Sequence, residues 1–380
     1  MCQKSLWFRF AALNAAVLLA VVALYGAVDR ITHRKGFTIS RSQIGTSDPA
    51  NYLEWSSQVF AGKSPYRDGT LPYPPLAIVP MLVPRLFFST RLGYTLGYGL
   101  LMIGINSALL ALIERASIEY HCNPTIALAW YTALVAPIAS MVLARLDVIV
   151  ALVCLWGALE LGRGRQGTAG FAVGLGTMFK LVPALVLLPY FLRCLSSLLK
   201  KGTDQPVPNP KPLIRLRTLG VDRAVCPLFQ QSASDPRLWL GAIRTLSTFL
   251  IVCALIGGIA VFLFGGTAAL QPFEVQARRG VEFESTYAGI AMAWGKLTHT
   301  EFALKFSPYC RCVELSAPAT SLLNRISTPV AIAAFGLVSY LLFRFPPGEY
   351  ARSVSAVLLV FVLTSKVLSP QHLLWIVPFL

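Results

Sequence analysis

Apolar runs of about 20 residues, the length of helix that crosses a hydrocarbon layer, recur along the whole of this 380-residue chain. Inside a bilayer no water is available to the backbone. A segment must therefore satisfy its own N–H and C=O groups, and a helix does so within itself. Only 13% of the residues are charged, against about 25% in a soluble domain, and the mean hydropathy is +0.63. The chain is expected to be an all-α polytopic membrane protein with a single membrane-embedded domain over 1–380. Hydropathy predicts spans near 6–28, 74–89, 92–113, 124–143, 146–161, 168–199, 240–264, 327–345 and 351–367. The run 168–199 is too long for one straight helix and contains Pro183, so it is a kinked helix or two short ones. The run 371–380 has about ten residues, too few to cross, so the chain ends in a half-span or is a fragment. Leu6 to Val28 resembles a secretory signal, but no small-residue cleavage site follows it and Arg9 lies inside it, so it is read as a retained span.

The net charge of +16 does not imply nucleic acid. The basic residues sit in loops between apolar runs, where membrane sorting and anionic headgroups place them. Three polar stretches stand out: 29–73, the Pro-rich basic 200–239, and 266–326. Lys4 and Arg9 favour a cytoplasmic N-terminus. If 168–199 crosses once, five crossings separate the first two stretches, which puts 29–73 and 266–326 outside and 200–239 inside. Eight cysteines are scattered. Cys310 and Cys312 form a lone C-x-C, a weak signal for a metal or a disulfide, and Cys154 and Cys253 read as packing residues.

Six short stretches carry candidate chemistry. "SDPANYLEW" holds Asp48 before Pro49, with Tyr52 and Trp55 following. This is a helix N-cap pattern, and aromatics with that spacing also anchor a helix flat on a membrane. "YPPL", from Tyr73, reads as a Pro-led helix start, and "ARLD" sets Arg145 and Asp147 in a short turn or local ion pair. "MFKLVPAL" puts Lys180 within an apolar run, where a charge is costly and either snorkels or works. "QARRGVEFES" joins Arg278 and Arg279 to Glu282 and Glu284; paired guanidinium groups suit a phosphate, and a solvated charge cluster is the plainer reading. "SKVLSPQHLLW" breaks at Pro370, so that Gln371 and His372 project from a helix start that also favours an anion.

These stretches, with "GKSPY" and "AGFAVGLGTMFKLVPALVLLP", stand in an order that resembles glycosyltransferase family 87, the polyprenol-phosphate-mannose-dependent mannosyltransferases. The likeness covers nearly the whole chain outside 200–239, although "RLD" lacks a Gly-Gln pair common in related enzymes. It implies a C-type glycosyltransferase (GT-C) fold with about 9–11 transmembrane helices, and an active site on extracytoplasmic loops at the cell membrane. The implied partners are a polyprenyl-phosphate sugar donor, a glycolipid or glycan acceptor, and membrane lipids; no nucleic acid is expected. Asp48 is then the expected catalytic base, and Lys180, Arg278, Arg279 and His372 the expected phosphate contacts. Tyr52, Arg145, Asp147, Glu282, Glu284 and Gln371 are expected to meet sugar or acceptor. No cofactor or metal is expected, since no acidic cluster suits Mg²⁺ and no Gly-rich loop suits a nucleotide. The rival reading is a multi-pass transporter or flippase of lipid-linked or anionic solutes.

Overall fold

The computed structural model describes residues 6–34, 47–69, 71–200, 238–307, 312–344 and 350–380. The predicted cytoplasmic loop 200–239 lies almost wholly outside the described residues, as do 35–46 of the first polar stretch and Cys310.

The apolar runs fold as helices. They are α1 (Leu6–Arg34), α4 (Arg91–Glu119), α5 (Pro124–Val135) with α6 (Ala139–Ala144), α7 (Asp147–Gly162), α8 (Gln166–Phe179), α9 (Leu187–Lys200), α10 (Leu238–Phe264), α13 (Thr320–Arg344) and α14 (Tyr350–Thr364). Five are long and apolar enough to cross a membrane: α1, α4, α5–α6, α10 and α13. The others are shorter, and of these α7 is the most buried. Helix α7 is apolar on every side, as a helix surrounded by protein must be. It forms the middle of the buried core.

Three predicted elements take a different form. The run 74–89 is not a span. It folds as a 3₁₀ turn, Pro75–Ala77, and the eight-residue α3 (Ile78–Arg85), about 12 Å of helix. Pro74, Pro75, Pro80 and Pro84 remove N–H donors in quick succession and keep the helix short. The run 168–199 is two helices. Helix α8 stops at Phe179, Lys180 is extended, and a 3₁₀ turn at Val182–Val186 leads into α9. Pro183 disfavours helical backbone before it and sets this break. The polar stretch 266–326 holds α11 (Thr267–Arg278), α12 (Thr286–Thr298) and the start of α13. It also holds an antiparallel hairpin, β1 (Ala303–Ser307) on β2 (Cys312–Ser316). In the first polar stretch, α2 (Ser47–Phe60) is the folded part.

With α3 short and 168–199 split in two, five helical segments still separate the first two polar stretches: α4, α5–α6, α7, α8 and α9; of these, α4 and α5–α6 are long and apolar enough to cross a membrane. Contacts show which helix ends lie together. At one end of the bundle Glu119 of α4 pairs with Arg163 just past α7. At that same end Gly241 of α10 lies against the side chains of Gln166 and Tyr190. At the other end Phe264 of α10 accepts from Ser64, 3.2 Å away. There too Lys366, after α14, reaches Asn324 at the start of α13, 2.9 Å away.

Small residues let the inner helices approach closely. A Cβ on Gly170 of α8 would lie 2.3 Å from the Thr245 carbonyl oxygen of α10, and one on Gly157 of α7 would lie 2.5 Å from Val173 of α8. Nearer α1, a buried polar chain joins three passes. Asn106 donates to Asn14 at 2.6 Å, and Asn14 donates to Thr132 at 3.2 Å. Free Cys154 is buried and free Cys253 half-buried, as packing residues; Cys312 is disulfide-bonded.

Candidate active site

The end of the bundle that carries α2 gathers charge. Asp48 stands in the first turn of α2 ahead of Pro49. Helix α6 ends at an extended Arg145, and Asp147 opens α7 two residues later. Arg145 Nε lies 2.6 Å from Asp48 Oδ2, close enough for an ion pair. The angle is wrong for a hydrogen bond, so neither atom has a hydrogen-bond partner among the described residues. The break after α8 turns Lys180 inward, where Nζ donates to Asp147 Oδ1 at 2.7 Å. The same ammonium sits 4.9 Å from the centre of the Trp375 ring and 6.0 Å from that of Tyr73.

The opposite wall is the segment between α11 and α12. Glu282 N–H donates to the Lys366 carbonyl at 3.0 Å, and Leu315 N–H to the Val281 carbonyl at 2.9 Å. These bonds tie the segment to both the α14 loop and the hairpin. Gly280 lies close under the Glu314 carboxylate: its N–H donates to Glu314 Oε1 at 2.8 Å, and a Cβ there would lie 2.7 Å from the other oxygen. Arg279 Nη2 lies 3.7 Å from Glu282 Oε1. Ser369 links the two walls, receiving a bond from Arg145 Nη1 at 3.2 Å and donating to Glu284 Oε2. Ser369 also caps the turn Pro370–Trp375, and its own N–H donates to His372 Nδ1 at 3.4 Å.

Burial raises the Asp48 carboxyl above the usual carboxylate range; Arg145 opposes that shift and Asp147 adds to it. Burial also lifts Glu282 to about 7, with Arg279 opposing and Glu284 adding. His372 is driven the other way, by burial and then by Lys180, Arg145 and Arg279. These influences favour the neutral imidazole. Its ring stacks on Trp375, centroids 4.2 Å apart.

Of the expected site residues, Asp48, Arg145, Asp147, Lys180, Arg279, Glu282, Glu284, Gln371 and His372 meet at this end of the bundle. Arg278 does not: it is exposed at the end of α11, while its neighbour Arg279 is half-buried. Tyr52 is fully buried behind Asp48 and packs on Tyr98, 5.2 Å between centroids, so it supports the wall as an aromatic core residue. Ser369 and Trp375 belong to the site although neither was among the expected contacts. Both lie in "SPQHLLW", and the signal for Ser369 was its place before Pro370 as an N-cap.

Six buried polar atoms here lack a hydrogen-bond partner among the described residues: Asp48 Oδ2, Arg145 Nε, Arg279 Nε, Glu282 Oε2, Gln371 Oε1 and Trp375 Nε1. Each buried unpaired group costs about 1–3 kcal/mol, and native proteins leave few. Asp48 Oδ2 and Arg145 Nε compensate each other as an ion pair; the remaining four, in one cluster, mark a place where a polar ligand can complete the bonding. An open cavity of about 480 Å³ lies elsewhere, at the far end of α12 beside Lys296 and His299, and shares no residue with this cluster. Among the described residues no group of three or more His, Cys, Asp or Glu is placed to hold a metal.

The profile of glycosyltransferase family 87 matches residues 71–196, the segment that carries Arg145, Asp147 and Lys180. The match indicates a glycosyltransferase, and with it a sugar donor and an acceptor. No curated protein and no solved structure matches the chain.

Proposed function

We propose that this chain transfers a hexosyl group, mannosyl in our reading, from a polyprenyl-phosphate-linked sugar to a hydroxyl of a lipid or glycan acceptor. The reaction runs at the extracytoplasmic face of the cell membrane and needs no metal. One observation carries the reading. Asp48, ion-paired through Oδ2 with Arg145, and Arg279, whose buried Nε has no hydrogen-bond partner among the described residues, stand near Lys180 at one end of a helical bundle. Asp48 suits the base, and Arg279 the phosphate contact, because its Nε is unbonded and its pairing with Glu282 is loose at 3.7 Å, whereas Lys180 Nζ donates to Asp147 at 2.7 Å. Lys180 adds field to the phosphate across a short distance.

The chemistry asks little more. The phosphate leaves as a stable anion when its bond to the sugar C1 breaks, so it needs cations and no general acid. The acceptor oxygen bonds to C1 from the opposite face, and its proton passes to Asp48. A single in-line displacement inverts the anomeric centre, giving an α-mannoside from a β-linked donor. Hydrolysis of a glycoside would instead ask for two carboxyl groups about 5–10 Å apart, one of them acting on the leaving oxygen.

The proposed orientation is supported by Lys4 and Arg9 at the N-terminus and by the odd number of helical segments between the first two polar stretches. The transport reading leaned on Lys180 within a span and on the external arginines; Lys180 standing at a helix break with a carboxylate partner weakens the first of these. The test is to incubate membranes bearing the chain with radiolabelled polyprenyl-phosphate-mannose and extracted glycolipids. Label should move to an acceptor. Membranes that move label from no polyprenyl-phosphate sugar would overturn the reading.

A further inference from the structure

Helix α12 stands outside the candidate spans and has two unlike faces. Tyr287, Ala288, Ala291 and Gly295 are buried, packing with Val281, Leu315 and Leu323. The opposite face is bare. Ile290, Trp294 and Leu297 follow at helical spacing and are 56%, 61% and 77% exposed. Strand β1 continues the surface with exposed Leu304 and Phe306, all but its last residue being exposed. Apolar stripes of this size are rare on surfaces that face only water and mark an interface.

What covers the stripe is legible from its place. Tyr287 OH donates to the Ser327 carbonyl of α13 at 3.4 Å, so α12 lies level with the first turns of that helix. Helix α13 is a candidate span whose own exposed residues include Leu322, Val330 and Ile332. The bare face of α12 therefore begins where a lipid-facing surface begins. Lys296, Lys305 and Arg325 are exposed around it, against exposed Glu301 and half-buried Glu314, which stands opposite Lys305 in the hairpin. That excess of positive charge suits anionic headgroups, and a tryptophan at the margin is the common membrane-interface residue.

We propose that α12 and β1 lie flat in the outer region of the bilayer, seated on the acyl chains of the leaflet at the charged end of the bundle. The seating has a consequence for the site wall. Glu284 directly precedes Ser285, the residue that caps α12 through a bond from Ala288 N–H at 3.1 Å. The leaflet then holds the Glu282–Glu284 wall at headgroup height. This inference does not depend on the reaction proposed above.

The full chain can be tested in nanodiscs that contain phosphatidylglycerol and a phospholipid with a diazirine on its acyl chain. After illumination, adducts are mapped by mass spectrometry. Adducts are expected on Ile290, Trp294, Leu297 and Phe306, and also on Val330 and Ile332 of α13 as the internal standard, with none on Ala288 or Ala291. Leu297→Glu should lose the α12 adducts and keep those on α13, which shows that the bundle is still folded. Adducts on α13 without adducts on α12 would overturn the proposal. So would an α12 face shielded by a second copy, seen as a dimer that Leu297→Glu dissociates.

Discussion

Asp48 reads in the sequence as a loop acid near a membrane, with the weak basicity of an exposed carboxylate. The fold changes its chemistry. Burial raises its pKa, so it accepts a proton more readily than a solvated carboxylate would. The cations sort themselves in the same way. Arg278 and Arg279 are equal in sequence, but only Arg279 is half-buried with an unpaired Nε. Arg279→Ala should raise the donor KM by roughly tenfold to more than a hundredfold, since a hydrogen bond to a charged group is worth about 1.5–3 kcal/mol. Arg278→Ala should leave it near wild type. Equal effects of the two changes would remove Arg279 from the phosphate site. Glu282, raised to about 7, is neutral below that pH. As pH rises through about 7 it gains a charge 3.7 Å from Arg279. Donor affinity should therefore fall above pH 7, and Glu282→Gln should flatten the fall; a profile unchanged by that substitution would contradict the assignment. The same shift bears on stability. Between the ordinary 4.5 and about 7 the folded chain holds a proton that the unfolded chain releases, so stability falls as pH rises across that window. Most of this residue set was legible as motifs. The pairings were not, because Asp48 with Arg145 and Lys180 with Asp147 are matches across passes that no local spacing reveals.

At the scale of elements, period and punctuation told most. The long passes α1, α4 and α10 follow from their apolar runs, and Pro183 announced that 168–199 would bend or split. Pro-rich 74–89 misled for a physical reason. Hydropathy counts apolar side chains and ignores lost N–H donors, and prolines at 74, 75, 80 and 84 leave too little regular helix to cross. The hairpin β1–β2 and helices α11 and α12 were hidden in a stretch that reads as polar loop. Glycines carry the packing of α8. A methyl on Gly170 would press on a backbone carbonyl of α10 at 2.3 Å, whereas one on Gly104 of α4 meets nothing within 4 Å. Gly170→Ala should destabilise the chain by about 1–3 kcal/mol, the usual effect of overpacking. Thermal unfolding in detergent should show a lower Tm for Gly170→Ala and no loss for Gly104→Ala. A wild-type Tm for the first would mean that α8 and α10 do not approach as closely as described.

At the scale of the whole molecule, residues far apart in sequence meet because consecutive passes alternate in direction. Helix α2, the α6–α7 turn, the α8 break, the 279–284 segment and the loop after α14 thus share one end. The order of motifs was legible in the sequence, and so was the expectation of a single charged face; its geometry was not. The proposed orientation has a direct test. Lys63→Cys should react with an impermeant thiol reagent in intact cells and Thr203→Cys should not, and the reverse pattern would invert the orientation. The central claim is that this shared end is a transfer site with Asp48 as its base. The most direct measurement is turnover and donor binding of purified Asp48→Asn, side by side with wild type, at saturating radiolabelled polyprenyl-phosphate-mannose and acceptor. Asparagine keeps the size and one acceptor oxygen but takes no proton, and general-base help is worth about 10²–10⁴-fold. Turnover should fall by that order while donor binding stays near wild type; turnover near wild type would contradict the account.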